Sequence, residues 1–114
     1  MADLFSKPSR WMDEELIMFD DSVSRFLADR AGPGRLARWR EDGIVERAAW
    51  DEVATAGMLG VSVAAEYGGA GGDLRHEAVL IRRLGLVGAE GWGVPLHNAI
   101  CAPYIEKYGT EEQR

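Results

Sequence analysis

The chain has 114 residues, 46% of them apolar, and 13 basic against 19 acidic side chains give it a net charge of -6. That length fits one domain hiding roughly two-thirds of its unfolded surface, and the acidic balance argues against a nucleic-acid partner, which calls for a net basic face. One cysteine, Cys101, rules out an internal disulfide, no apolar run approaches the roughly 20 residues that span a bilayer, and the start MADLFSKPSRWMDEE has no signal pattern, so the reading is a cytoplasmic protein with no membrane partner.

Residues 1–12 read as a flexible lead-in, with Pro8 and Ser9 discouraging regular structure. From Asp13 the pattern is helical: Leu16, Phe19, Val23, Phe26 and Leu27 recur at spacings of three and four and share one stripe. Asp21 and Arg25 are spaced for a solvent-side ion pair. Gly32, Pro33 and Gly34 are expected to end this helix. A second helix is predicted over Arg35 to Glu41, with Leu36 and Trp39 on its apolar side. Arg35, Arg38 and Arg40 resemble an anion patch, but Glu41 and Asp42 beside them favour a solvated mixed-charge face. Gly43 closes it. A third helix is expected from Val45 or Glu46 to Ala56, with Ala49, Trp50, Val53 and Ala54 inward and Gly57 past its end.

The segment GMLGVSV is too short and glycine-rich for a long helix and reads as an irregular buried connector, with no partner strand elsewhere. It leads into Gly68, Gly69, Gly71 and Gly72, which let the chain turn and let another surface approach bare backbone. Asp73 then offers an N-cap for LRHEAVLIRRLGLVG, where Leu74, Ala78, Ile81 and Leu84 or Gly85 define one face. Val79, Leu80, Leu86 and Val87 make other faces apolar as well, so this helix expects neighbours on several sides. After AEGWG, a last helix is predicted over Pro95 to Tyr108, with Pro103 kinking its interior and Gly109 as its cap. Thr110-Glu111-Glu112-Gln113 has the form of a capping box. It announces a helix that the chain, ending at Arg114, does not continue, which reads as a truncation.

Candidate chemistry is sparse. The glycine cluster has Gly69 and Gly71 as a first G-x-G, but Leu74 stands three beyond, and no Lys-Ser or Lys-Thr follows, so phosphate-binding spacing fails. His97 and Cys101 lie four apart, but a metal needs more ligands, and a half-buried histidine with a small core thiol is the favoured reading. Glu66 beside Tyr67 reads as a solvated or capping carboxylate rather than a general acid or base. The tryptophans Trp11, Trp39, Trp50 and Trp92 read as core or interface packing before ligand stacking.

The order GMLGVSVAAEYGGAGGD, a long helix, then GWGVPLHNAICAPYIEKYGTEEQR resembles the N-terminal helical domain of acyl-CoA dehydrogenases, from about Glu14 to Arg114. Glu66-Tyr67-Gly68-Gly69 with Gly71-Gly72, and Tyr108 through Gln113, carry the resemblance together. The Leu96-His97-Asn98 turn is more similar to long-chain-type members. The resemblance implies an all-α bundle of five to six helices over 13–114, truncated at its C-terminal end. A middle β-barrel and a C-terminal helical domain would complete it, supplying most FAD contacts and the catalytic glutamate. It implies no catalytic, cofactor-binding or metal-ligating residue in this chain and no FAD bound to this piece alone. Leu96, His97 and Ile100 are the residues it places against an acyl chain. For the complete protein it implies α,β-desaturation of an acyl-CoA, an electron-transfer flavoprotein as acceptor and a homotetramer. A related flavin oxidase or monooxygenase, a free-standing helical module for a protein partner, and an acyl-carrier or lipid-binding protein are the alternatives.

Overall fold

The computed structural model describes residues 7–114, and among them every regular element is helical. Residues 1–6 of the expected lead-in lie outside the described residues. Within 7–12 the chain makes a turn, closed by the Met12 N–H donating to the Ser9 carbonyl at 3.0 Å, and Met12 is buried. Helix α1 is Glu14–Arg30, opened by Asp13, whose carboxylate accepts from the Leu16 N–H at 2.9 Å. Its buried residues Leu16, Val23 and Leu27 are the predicted stripe, with Phe19 and Phe26 packed partly buried beside them. Removing each such aliphatic side chain from water contributes about 1.5–3 kcal/mol. Asp21 and Arg25 do pair, at 2.6 Å and in solvent.

Helix α2 is Pro33–Asp42. Pro33 and Gly34, expected to terminate the first helix, instead begin the second. Proline is tolerated at a first helical turn because its missing N–H has no intrahelical acceptor there. Leu36 and Trp39 are buried as predicted, and Gly43 closes the helix in the left-handed conformation. Helix α3, Arg47–Thr55, buries Ala49 and Val53. Ala54, expected inward, is exposed, because the helix is covered along a narrower stripe than its composition allows.

The connector after α3 is irregular and buries Met58 and Val61. A short 3-10 turn, Ala65–Tyr67, enters the glycine loop, and α4, Leu74–Val87, leaves it. Asp73 caps α4 as predicted, with His76 completing a reciprocal box through its ring nitrogen, 3.1 Å from the Asp73 N–H. Of the predicted face of α4, Leu84 is buried and Ala78 partly so, but the rest differs. Leu74 and Ile81 are exposed, whereas Glu77, Val79, Leu80 and Leu84 are buried. With apolar residues on several faces, packing against α1 chose among them, and the sequence pattern alone did not.

A 3-10 turn, Glu90–Trp92, leads into a helical run over 94–108, here α5. It begins as α-helix at Val94–Leu96, widens to a π-turn at His97–Cys101, and resumes as α-helix at Ala102–Tyr108. In the π-turn the Ala102 N–H donates to the His97 carbonyl. The predicted disturbance at Pro103 is therefore absorbed as one widened turn, which relieves the clash a proline ring makes with the carbonyl four residues back. The whole is 43 × 39 × 19 Å, about two helices thick in its short direction.

Candidate functional site

The glycine loop is built by close backbone approach. A Cβ on Gly69 would overlap the Val63 carbonyl and side chain, and one on Gly72 would lie 2.8 Å from the Val61 carbonyl oxygen. The loop's amides are engaged internally: Ala70 N–H donates to Gly60, Gly71 N–H to Val63 and Gly72 N–H to Val61. These donors are the groups a phosphate would need, so the loop does not fit the pyrophosphate of a flavin dinucleotide. Asp73, at its end, is held down to about 2 by hydrogen bonds from the Arg75 side chain and backbone N–H.

The three residues assigned to an acyl chain, Leu96, His97 and Ile100, all lie on α5 and face solvent together. Leu96 is 57% exposed and Ile100 60%, and the same exposed side continues through Tyr104 and Ile105 to Tyr108, 67% exposed. Tyr104 and Tyr108 touch, with ring centroids 5.1 Å apart, and with Gln113 they line a groove of about 420 Å³. The Leu96-His97-Asn98 segment lies within the helix predicted over Pro95 to Tyr108 and is helical. His97 and Cys101 are both exposed rather than half-buried and core, because the π-turn presents them outward. Among the described residues no three His, Cys, Asp or Glu side chains gather to hold a metal ion.

Beneath this face lies Asn98, which sequence reasoning passed over. It is 0% exposed, donates from Nδ2 to the Met58 carbonyl at 2.7 Å and accepts at Oδ1 from the Gly60 N–H at 2.8 Å. The Met58 bond fixes the amide's orientation, so His97 Nδ1, 2.9 Å from Oδ1, is the protonated donor. Glu77, 2% exposed, was also missed: it accepts from the Ser62 hydroxyl at 2.7 Å, and its other oxygen has no partner. Its spacing with Leu80 and Leu84 was the available signal.

Two ion-pair groups lace the helices. Arg83 makes a two-pronged bond to Asp20, joining α4 to α1, and this bond holds the Asp20 carboxyl below its ordinary range despite burial. Arg35 is not a solvated member of a mixed-charge face. It bonds Glu46 and Glu52, at 2.7 Å each, rather than its sequence neighbours Glu41 and Asp42. Glu46 also accepts from the Trp39 indole. Trp39 and Trp50 each pack against Trp92, with centroid separations of 5.1 and 6.4 Å, and only Trp11 stands apart in solvent. Trp39, Trp50 and Trp92 line a cavity of about 590 Å³, which includes none of Leu96, His97 or Ile100. Glu66 is exposed.

A family profile described as acyl-CoA dehydrogenase, N-terminal domain, matches residues 13–114. The chain belongs to that family. Among its relatives, the mitochondrial long-chain specific acyl-CoA dehydrogenase of Sus scrofa is 36% identical over 104 residues, 91% of this chain and 24% of that one. The short-chain specific acyl-CoA dehydrogenase of Clostridium acetobutylicum is 41% identical over 59 residues, covering 51% and 16%. The mitochondrial short/branched chain specific acyl-CoA dehydrogenase of Bos taurus is 27% identical over 108 residues, covering 94% and 25%. The chain thus spans about a quarter of the length of these acyl-CoA dehydrogenases. No solved structure gives a significant match. Membership agrees with the resemblance read from the two motifs and with an all-helical N-terminal domain. Among the described residues no helix is long and apolar enough to cross a membrane.

Proposed function

We propose that this chain forms the helical wall of the acyl pocket in an FAD-dependent enzyme that removes hydrogens from Cα and Cβ of an acyl-CoA. In this reading 13–114 is the N-terminal domain, a middle β-barrel and a C-terminal helical domain complete the enzyme, and those parts hold FAD and the catalytic base. An electron-transfer flavoprotein takes the electrons, and the complete enzyme is a homotetramer. The lone cysteine supports a reducing, cytoplasmic placement, although the mammalian relatives carry mitochondrial names. The observation that carries the proposal is the apolar side of α5, where Leu96 and Ile100 stand in solvent with His97 between them. Desaturation beside a flavin needs a dry slot, so that proton removal and hydride transfer are not diverted by water, and such a face supplies one wall.

The test is Leu96→Glu and Ile100→Glu in the full-length gene product. Both are expected to raise KM for a long-chain acyl-CoA by about tenfold or more while flavin content stays at wild type. An unchanged KM for both would remove the acyl wall from this face. Because fold does not fix reaction, oxygen consumption without an added acceptor would reassign the enzyme as an oxidase or monooxygenase.

A further inference from the structure

Apart from Lys107, the exposed positions of α5 fall in a four-residue rhythm: Leu96 and His97, Ile100 and Cys101, Tyr104 and Ile105, then Tyr108. An α-helix does not keep that rhythm on one side. At about 100° per residue, Leu96 and Tyr108 would stand about 120° apart on a regular helix. The π-turn His97–Cys101 takes up one extra residue, which removes about 100° of that offset and brings the two ends of the face nearly into line. Pro103 favours a widened turn here, and the buried side chain at the turn's centre, Asn98, fixes where it opens. Its bonds to the Met58 carbonyl and the Gly60 N–H tie the turn to the connector before the glycine loop. Gly60 in turn accepts from the Val63 and Ala70 amides, so this anchor is itself fixed by the loop.

We infer that Asn98 is a positioning residue: by pinning the π-turn to Met58 and Gly60 it sets the register that makes Leu96, Ile100, Tyr104 and Tyr108 one continuous face. Its consequence for substrate rests on the acyl-wall reading, but the register itself does not. The glycine loop thereby acquires a role that its lack of phosphate donors had left open, as the fixed platform against which the acyl wall is aligned.

Three variants of the full-length protein test this: Asn98→Ala, deletion of Ala99, and the two combined, each taken to a crystal structure and to steady-state kinetics. All are made in a Pro103→Ala background, which removes the proline's own push on the turn and by itself should keep the π-turn. In Asn98→Ala the turn is expected to close to α-helix and carry Tyr108 about 100° around the axis from Leu96. KM for a long-chain acyl-CoA should rise about tenfold with kcat within about twofold. Deleting Ala99 removes the extra residue, so α5 should become regular with Tyr108 still aligned under Leu96 and KM near wild type. The combined variant should restore both alignment and KM, which a merely stabilising hydrogen bond would not do. If Asn98→Ala keeps the π-turn, or if deletion of Ala99 swings Tyr108 off the face, the inference is overturned. Should Asn98→Ala fail to fold, Asn98→Asp, which keeps an acceptor for the Gly60 N–H and loses the donor to Met58, is read by the same criteria. Correct register changes with no change in any KM would instead refute the acyl-wall reading and leave the positioning role standing.

Discussion

Replacing Arg35 with methionine keeps the aliphatic stem over Trp39 and removes only the guanidinium, whose carbon lies 5.5 Å from that ring. The side chain is 17% exposed and bonds Glu46, Glu52 and the Arg30 carbonyl, tying the start of α2 to both ends of α3. Its loss leaves Glu46 and Glu52 facing each other with only Arg30, 3.5 Å from Glu52, as a nearby cation. Exposed pairs contribute about 0.2–1 kcal/mol, whereas breaking a buried pair costs about 3–5 kcal/mol. With the arginine mostly covered and its partners partly wet, the expected loss is about 2 kcal/mol, or about 8 °C in Tm. Urea unfolding followed by tryptophan fluorescence reads it directly, since Trp39 lies under the pair. A cycle with Glu52→Gln should return a coupling of about 1 kcal/mol. The pH dependence has a definite sign. The Arg35 hydrogen bond lowers the Glu52 pKa; at Glu46 burial pushes upward, but its backbone hydrogen bond and those from Arg35 and Trp39 outweigh it. Both carboxylates therefore stabilise the fold above their ordinary value near 4.5, and that contribution fades as pH falls through the lowered folded values. The gap between wild type and Arg35→Met should accordingly narrow in acid. A loss below about 0.5 kcal/mol, constant with pH, would show that the cluster is an ordinary solvated surface and that this reasoning is wrong.

Gly69→Ala should cost about 2–3 kcal/mol or more, because the new methyl meets the Val63 backbone, whereas Gly91→Ala has open space and should cost nothing. Equal denaturation midpoints for the two would refute close approach in the loop. Asp73→Asn retains a capping oxygen but loses the charged bond to Arg75. The wild-type advantage should be present above pH 3.8, the ordinary carboxyl value, and disappear as pH falls toward about 2, read as the difference between thermal melts across that range. An advantage that persists at pH 2 would assign it to something other than the carboxylate.

Sequence alone settled most of what depends on neighbours along the chain. The stripe of α1, the cap at Asp73, the closing Gly43 and the two motifs that placed the family are local patterns with few ways to be satisfied. The capping box at Thr110 and Gln113 also forms, with its reciprocal bonds at 2.9 and 3.3 Å. Tertiary structure decided wherever several local answers were equally good. Helix α4 is apolar on more than one side, and only its neighbours selected Val79 and Leu80 over Leu74 and Ile81. Arg35 had acids beside it in sequence but bonded Glu46 and Glu52, which folding brought closer. Asn98 looked like any helical polar residue until its two bonds to Met58 and Gly60, 40 and 38 positions away, showed that it fixes a widened turn. Periodicity reports which residues share a helix face, but contacts across so many positions come from packing, and packing decides which face turns inward and which stays open for a ligand.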